Sequence, residues 1–156
     1  MDSYLVIKTI HIISATLLFG TGMGIAFFHF AGQRSPDFAA KLFAARVTVL
    51  ADYLFTLPAV IIQPLTGAWL IRQAGFDWAD YWLVCTYALY AVAGVCWVPV
   101  VFIQIRIKRI LERRIAGLPF DHLAYERLCR WWFALGWPAF GGLIIVFFLM
   151  VTKPSW

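Results

Sequence analysis

Charged residues are scarce in this chain, and their scarcity excludes a soluble fold. Asp, Glu, Lys and Arg make up 13% of the 156 residues, whereas 63% are hydrophobic. A water-soluble domain has a more even balance, because polar side chains must cover its core. We therefore expect the chain to be surrounded by a lipid bilayer.

The sequence also lacks the two-residue alternation of polar and apolar side chains that is typical of membrane barrel strands. Four long apolar stretches are present instead, at about 4–30, 47–71, 82–104 and 133–151. Each is near or above the roughly 18 residues that a helix needs to cross the hydrocarbon core. Because only helices and closed barrels cross a membrane, we predict an all-α integral membrane four-helix bundle with one domain, 1–156.

A cleavable leader is not indicated either. No basic region precedes the first stretch and no small-residue cleavage motif follows it, so we expect this stretch to remain in the mature protein. Cysteine is sparse, and Cys85, Cys96 and Cys129 form no CxxC pair. These thiols are interpreted as small apolar residues of membrane helices, with a redox role as the alternative.

Basic residues are distributed unevenly between the loops. Ten of the 13 Lys and Arg residues lie between the first and second stretches or in the segment 105–132, and three lie on the other side. The positive-inside rule then makes 105–132 a basic cytoplasmic segment and puts both termini on the non-cytoplasmic side. We predict a multi-pass protein of the bacterial inner (cytoplasmic) membrane. Its net charge of +5 favours anionic lipid, and no feature indicates nucleic acid.

The basic segment is expected to begin as a surface extension of the third helix. Apolar and basic residues alternate from Ile105 to Arg114, and Gly117 and Pro119 end the pattern. A second, short helix is predicted from an Asp121 cap. Trp131, Trp132 and Trp137 fall near the same boundary and are assigned to an interfacial aromatic belt.

The glycines of the first stretch superficially resemble a dinucleotide-binding fingerprint. No strand precedes Gly20-Thr21-Gly22-Met23-Gly24, however, and apolar residues continue on both sides. We interpret Gly20 and Gly24 as a small-xxx-small face for helix packing, which permits a homodimer without requiring one.

Two histidines of the first stretch suggest a cofactor. His11 and His29 are 18 residues, or five turns, apart, so they share one helix face while standing roughly 27 Å from each other. Gly22 lies close to that face. Small residues beside an imidazole allow a flat macrocycle to approach, so we predict haem b with His11 as axial ligand. The alternative for both histidines is an ordinary hydrogen-bonding role; either could also bind a metal.

The layers around the two histidines should contain further polar groups. Beside His11 we expect Gln63, Thr66, Tyr87 or Tyr90, and Met150; of these, Gln63 and Tyr90 are our candidate cofactor contacts. Beside His29 we expect Asp52, Gln104 and Arg130.

Asp52 requires a partner, because an unpaired carboxylate inside a membrane is costly. The candidates are Arg46, Arg130 and His29. A structural ion pair and a proton relay both remain open, and we include Asp52 and Lys8 as candidate catalytic residues.

The Lys-x-x-His-Ile pattern from Lys8 to Ile12 resembles the start of HemJ-type protoporphyrinogen oxidases and, more loosely, CopD-type membrane proteins. The HemJ resemblance implies haem b on His11 with Lys8 nearby. It also implies an oxidoreductase that removes hydrogens from a porphyrinogen and passes electrons to a quinone. The sequence departs from that pattern over 24–28, where HemJ-type proteins carry an Arg and a Tyr.

Over nearly its whole length the chain is also similar to an uncharacterised bacterial family of predicted four-helix integral membrane proteins. The matching segments are 51–56, 63–67, 96–101 and 149–154. The hypothesis from the sequence is a haem-b-binding membrane oxidoreductase or electron carrier. Its alternative is a non-enzymatic protein, either a small scaffold or a CopD-type copper protein, although soft ligands such as Met23, Met150, Cys85 and Cys96 are scattered.

Overall fold

The computed structural model of the protein describes residues 2–154, and every regular element among them is helical. The elements are α1 (Ser3–Gln33), α2 (Phe38–Ala51), a π-helical turn (Asp52–Thr56), α3 (Leu57–Ala74), α4 (Tyr81–Ile115) and α5 (His122–Thr152). Since α2, the π turn and α3 run on without a break, four helices are long and apolar enough to cross a membrane. The predicted all-α bundle with four spans is confirmed.

The helices extend well beyond the apolar stretches, because hydropathy marks the part inside lipid and local chemistry decides where a helix stops. α4 continues to Ile115 and ends before Gly117, which has a φ of 76°. α5 begins after Asp121, whose carboxylate accepts a hydrogen bond from the Ala124 amide at 2.9 Å. The expected cap is therefore present, but its helix is the first part of α5 and not a separate short helix.

A proline accounts for the π turn inside the second span. Pro58 has no N–H, and its ring would collide with the carbonyl four residues earlier in a regular α-helix. The chain widens just before it, and the Leu57 amide donates to the Asp52 carbonyl five residues back. Turns of this kind occur often at functional sites, and this one positions Asp52 and Thr56.

The helices pack as two groups. α1 lies against α2 and α3, α4 lies against α5, and α2 joins the groups by packing on α4. We call the end formed by the C-termini of α1 and α4 the basic end, because it carries the basic loops, and the opposite end the terminal end.

The α4 extension buries its apolar face against other helices, contrary to the prediction that it lies along the membrane surface. Ile107 and Leu111 are 0% exposed and pack with Leu42, Ala45 and Tyr125 at the basic end. The apolar members of the alternating pattern lie on one face of α4, and α2 and α5 cover that face.

Large apolar side chains cover the outside of the bundle. Phe27, Phe43, Val95, Phe148 and Val151 are all more than 60% exposed. In water this much contiguous apolar surface would cause aggregation, whereas in a bilayer it contacts lipid.

A close contact between two helices involves a glycine outside the predicted packing motif. A Cβ added at Gly32 would lie under 3.0 Å from the Cβ of Ala44, so α1 and α2 touch there. At Gly20 and Gly24 an added Cβ would meet nothing within 4 Å. These two glycines are thus not a packing face within the described part of the chain, and any use of them by a second copy stays a prediction.

Candidate ligand cavity

A cavity of about 360 Å³ lies between α1, α4 and α5, and the π turn closes one side. Small and aromatic side chains form its walls: Gly22, Ala26, Ala93, Gly94, Trp97, Trp132, Phe133, Gly136, Trp137, Ala139 and Phe140. Met23 and Trp137 also line it and are 50% and 77% exposed. The cavity therefore opens on the lipid-facing surface of the bundle.

The polar side of the cavity is a hydrogen-bonded row of three side chains. The Asp52 carboxylate accepts a hydrogen bond from the Gln104 side-chain amide. The side-chain amide oxygen of Gln104 accepts in turn from the Trp132 indole N–H at 3.3 Å. Gln104 is 1% exposed, so this row is fixed in the core of the bundle.

The expected layer containing Asp52 and Gln104 is present, but the expected partner of Asp52 is different. Arg46 pairs with Glu112 at 3.2 Å on the surface, and Arg130 is exposed. The π turn directs the carboxylate toward α4, where a neutral amide satisfies it. The ion pair with Arg46, Arg130 or His29 is therefore wrong.

Two buried hydrogen-bonding groups at the cavity have no protein partner among the described residues. They are the Thr56 hydroxyl and the Trp97 indole N–H. An unsatisfied buried polar group costs about 1–3 kcal/mol, so such groups in a cavity favour a ligand with hydrogen-bond acceptors. Neither residue was predicted from the sequence, although Trp97 stands inside the third apolar stretch, away from both of its ends.

Trp132 was also assigned wrongly to an interfacial belt. Its side chain is buried at 5% exposure, lines the cavity and donates to Gln104. Its other neighbour is His29, with ring centroids 4.4 Å apart and planes 28° apart. The aromatic belt prediction is wrong for Trp132 because α5 is one continuous helix from His122 to Thr152, and the face that carries Trp132 packs inside the bundle.

His29 is completely buried, and neither ring nitrogen has a protein partner within residues 2–154. The alternative of an ordinary hydrogen bond from His29 to another side chain is therefore not observed among these residues. Metal binding by His29 stays a prediction; within the same residues, no three His, Cys, Asp or Glu side chains come together as a metal site.

His11 lies between α1 and α3, away from the cavity lining. Its Nδ1 is 2.7 Å from the Thr66 hydroxyl oxygen, and the Gln63 side-chain amide donates to the His11 carbonyl at 3.1 Å. A Cβ added at Gly67 would lie 3.3 Å from the ring. The structure thus brings Gln63 and Thr66 to His11 as expected, but Gln63 meets the backbone and not the ring.

Of the other candidate residues, Lys8 lies one turn from His11 on α1, whereas Gly22 and Tyr90 are at the cavity. Lys8 is exposed, with its ammonium 5.9 Å from the centre of the Tyr4 ring. Gly22 lines the cavity beside Phe140. Tyr90 also lines the cavity, and its hydroxyl donates to the Val60 carbonyl at 2.7 Å. That carbonyl would otherwise lose its partner, because Pro64 four residues later has no N–H.

The four long apolar helices and the apolar outer surface define an integral membrane protein with an internal cavity open to lipid. The model of a family of predicted integral membrane proteins, DUF2269, matches residues 5–154. The chain therefore belongs to this family. No curated protein and no solved structure matches it, so the likeness to HemJ-type and CopD-type proteins stays a resemblance of the sequence.

Proposed function

We propose that this protein is a membrane-embedded oxidoreductase or electron carrier that binds a quinone-type ligand in the cavity. The observation that carries the proposal is the combination of aromatic walls, an opening to lipid and unpartnered hydrogen-bond donors. Cavities of roughly 300–1,000 Å³ with mostly apolar walls and a few placed polar groups are typical of small-molecule sites.

The walls suit a flat ring. Trp132, Phe133 and Phe140 present aromatic surface to the space, and aromatic rings favour offset or edge-on contacts with one another. The donors suit a ring that carries carbonyl oxygens, because the Trp97 indole N–H can only donate. Asp52 and Gln104 stand at the same polar side.

The opening suits a lipid-soluble ligand with a tail. A quinone is dissolved in the hydrocarbon, and the rim at Met23 and Trp137 is exposed there. The headgroup would enter between α1 and α5, which meet chiefly through side chains such as Phe19 and Phe140, whose centroids are 4.5 Å apart. A porphyrinogen, which the HemJ likeness implies, is the alternative occupant of the same space.

Haem b on His11 is the second candidate, and one hydrogen bond favours it. The Thr66 hydroxyl lies 2.7 Å from the Ile62 carbonyl and has a single proton to donate. If that proton goes to Ile62, the hydroxyl accepts from His11 Nδ1–H, which leaves Nε2 as a base able to bind a metal. Bound there, haem would supply one-electron transfer.

His11 Nε2 suits the haem iron, but the space around the His11 ring is restricted. Gly67 of α3 lies against the ring, and the cavity lies elsewhere. A macrocycle would therefore approach from outside the α1–α3 contact, either from lipid or from a second copy of the chain. Lys8, one turn away, would be available to a propionate.

The positive-inside rule supports an orientation for the proposed redox protein. The basic end would face the cytoplasm of a bacterial cell, with both termini on the other side of the inner membrane. The cavity lies near the middle of the bundle, and Asp52, Gln104 and Trp132 are on its side toward the basic end.

Tryptophan fluorescence tests the cavity directly, because Trp97, Trp132 and Trp137 line it. Purified protein in lipid nanodiscs is titrated with a short-chain benzoquinone, and saturable quenching is expected. Gly136→Leu should abolish the saturable part. Gly136 lines the cavity, and a Cβ added there meets no atom within 4 Å, so the larger side chain is expected to occupy space that the ligand needs.

Gly141→Leu is the matched control on the same helix. An added Cβ there also meets nothing within 4 Å, but Gly141 does not line the cavity. It should bind like the unmodified protein. Equal binding by the two variants, or quenching that never saturates, would contradict the quinone proposal.

Haem is tested separately by the absorption spectrum after expression with ample haem. A Soret band that His11→Ala abolishes and His29→Ala leaves in place supports the second candidate. A colourless protein, or a band that His11→Ala does not change, overturns it.

A further inference from the structure

Three side chains at the basic end carry buried polar atoms without protein partners in the described chain. They are both ring nitrogens of His29, the side-chain nitrogen of Gln33 and the hydroxyl of Thr48. His29 is 0% and Thr48 2% exposed. We call these three residues the buried polar layer.

The helix register places the three residues close together. Gln33 follows His29 by one turn on α1, so both lie on one face. Gly32 touches Ala44 where α1 and α2 run antiparallel. Moving three residues back along α1 and four forward along α2 brings His29 and Thr48 to nearly the same height, at about 1.5 Å per residue.

The layer has a polar group at each end. Toward the basic end, the Tyr125 hydroxyl donates to the side-chain amide oxygen of Gln33. Toward the cavity, Asp52 follows Thr48 by one turn on the second span, and its carboxylate lines the cavity. From the basic end to the cavity, polar side chains thus follow one another at intervals of about one helical turn: Tyr125 with Gln33, then His29 with Thr48, then Asp52.

Leaving these groups unpaired would be costly, at about 1–3 kcal/mol for each buried polar atom. Buried polar groups that lack protein partners are generally satisfied by internal water, which makes about three hydrogen bonds in such sites. Apolar side chains or lipid cannot take the place of water here, because they would leave all of these polar atoms without hydrogen bonds.

We propose that the buried polar layer is a water-filled path that leads from the basic end of the bundle to Asp52. The path does not depend on which ligand occupies the cavity. In a protein with the proposed redox function, it would bring protons to the polar side of the cavity from the cytoplasm. The ionisable groups along it are His29, Asp52 and Tyr125, and the Lys41 ammonium lies 5.5 Å from the Tyr125 ring centre.

Cysteine accessibility tests the path. In a background with Cys85, Cys96 and Cys129 replaced by alanine, Thr48→Cys places a thiol of similar size in the layer. Ala45→Cys is the control, because Ala45 is 0% exposed on the same helix but packs in the apolar cluster of the basic end. The probe is methanethiosulfonate ethylammonium added in water.

The thiol of Thr48→Cys should react at least about tenfold faster than that of Ala45→Cys. Only the thiolate reacts, and dry apolar surroundings disfavour it. His29→Cys, at a position that is also 0% exposed, should react fast as well, which covers the case that Thr48→Cys fails to fold. Adding His29→Leu to Thr48→Cys should slow the reaction, because it removes two polar atoms that hold water.

Equal, slow reaction of Thr48→Cys, His29→Cys and Ala45→Cys would overturn the path. That result would leave quinone quenching by the unmodified protein unaffected. Conversely, a fast reaction of Thr48→Cys in a protein that binds no quinone would support the path and reject the cavity ligand. The two proposals are thus tested by separate measurements.

Discussion

The contact between Gly32 and Ala44 predicts a large effect from the smallest possible substitution. In Gly32→Ala, the new methyl carbon would lie under 3.0 Å from the Ala44 methyl carbon. Carbon atoms in contact stand about 3.5–4.0 Å apart, so α1 and α2 must separate by at least roughly 0.5–1 Å. Both carbons are attached directly to helix backbone, and neither can move away by changing a rotamer.

The expected net cost of Gly32→Ala is about 1–2 kcal/mol. Overpacking typically costs about 1–3 kcal/mol, while alanine gains roughly 0.5–1 kcal/mol over glycine inside a helix. Unfolding in mixed micelles by increasing dodecyl sulfate, followed by circular dichroism, measures the difference. The midpoint should move to lower detergent fraction.

Gly20→Ala is the control for Gly32→Ala, because an added Cβ at Gly20 meets nothing within 4 Å on the same helix. It should be neutral or slightly stabilising. The double variant Gly32→Ala with Ala44→Gly restores the space and should recover much of the loss, as expected for coupled neighbours. The reasoning is refuted if Gly32→Ala is as stable as Gly20→Ala, or if Ala44→Gly gives no recovery.

Two further substitutions test the hydrogen bonds that position the cavity. Tyr90→Phe removes the donor to the Val60 carbonyl and should cost about 1 kcal/mol in the same unfolding assay, a typical value for one hydrogen bond in a membrane protein; no loss would mean that this carbonyl is satisfied otherwise. Gln104→Leu leaves the buried Asp52 carboxylate without its donor and should cost about 3 kcal/mol. Adding Asp52→Leu to Gln104→Leu should recover stability, and a further loss instead would contradict the assigned pairing.

The sequence by itself determined the class of fold, because the physics of a bilayer admits few solutions. Four apolar stretches of sufficient length and the absence of barrel alternation were enough to predict four spanning helices. The Asp121 cap could also be predicted, because a carboxylate before a helix satisfies the free amides of its first turn through a local hydrogen bond. The position of Gln63 and Thr66 beside His11 followed from counting residues from the boundaries of two adjacent spans.

Only the tertiary structure decided what each helix face meets. His11 and His29 share a face of α1, yet one contacts α3 and the other stacks on Trp132 of α5. The partner of Asp52 depended on the π turn, whose wider helical turn redirects the side chain toward Gln104. The cavity exists because helices drawn together elsewhere leave small residues facing one another between α1, α4 and α5. Hydropathy and residue spacing describe one helix at a time, whereas the cavity depends on how several helices pack against one another.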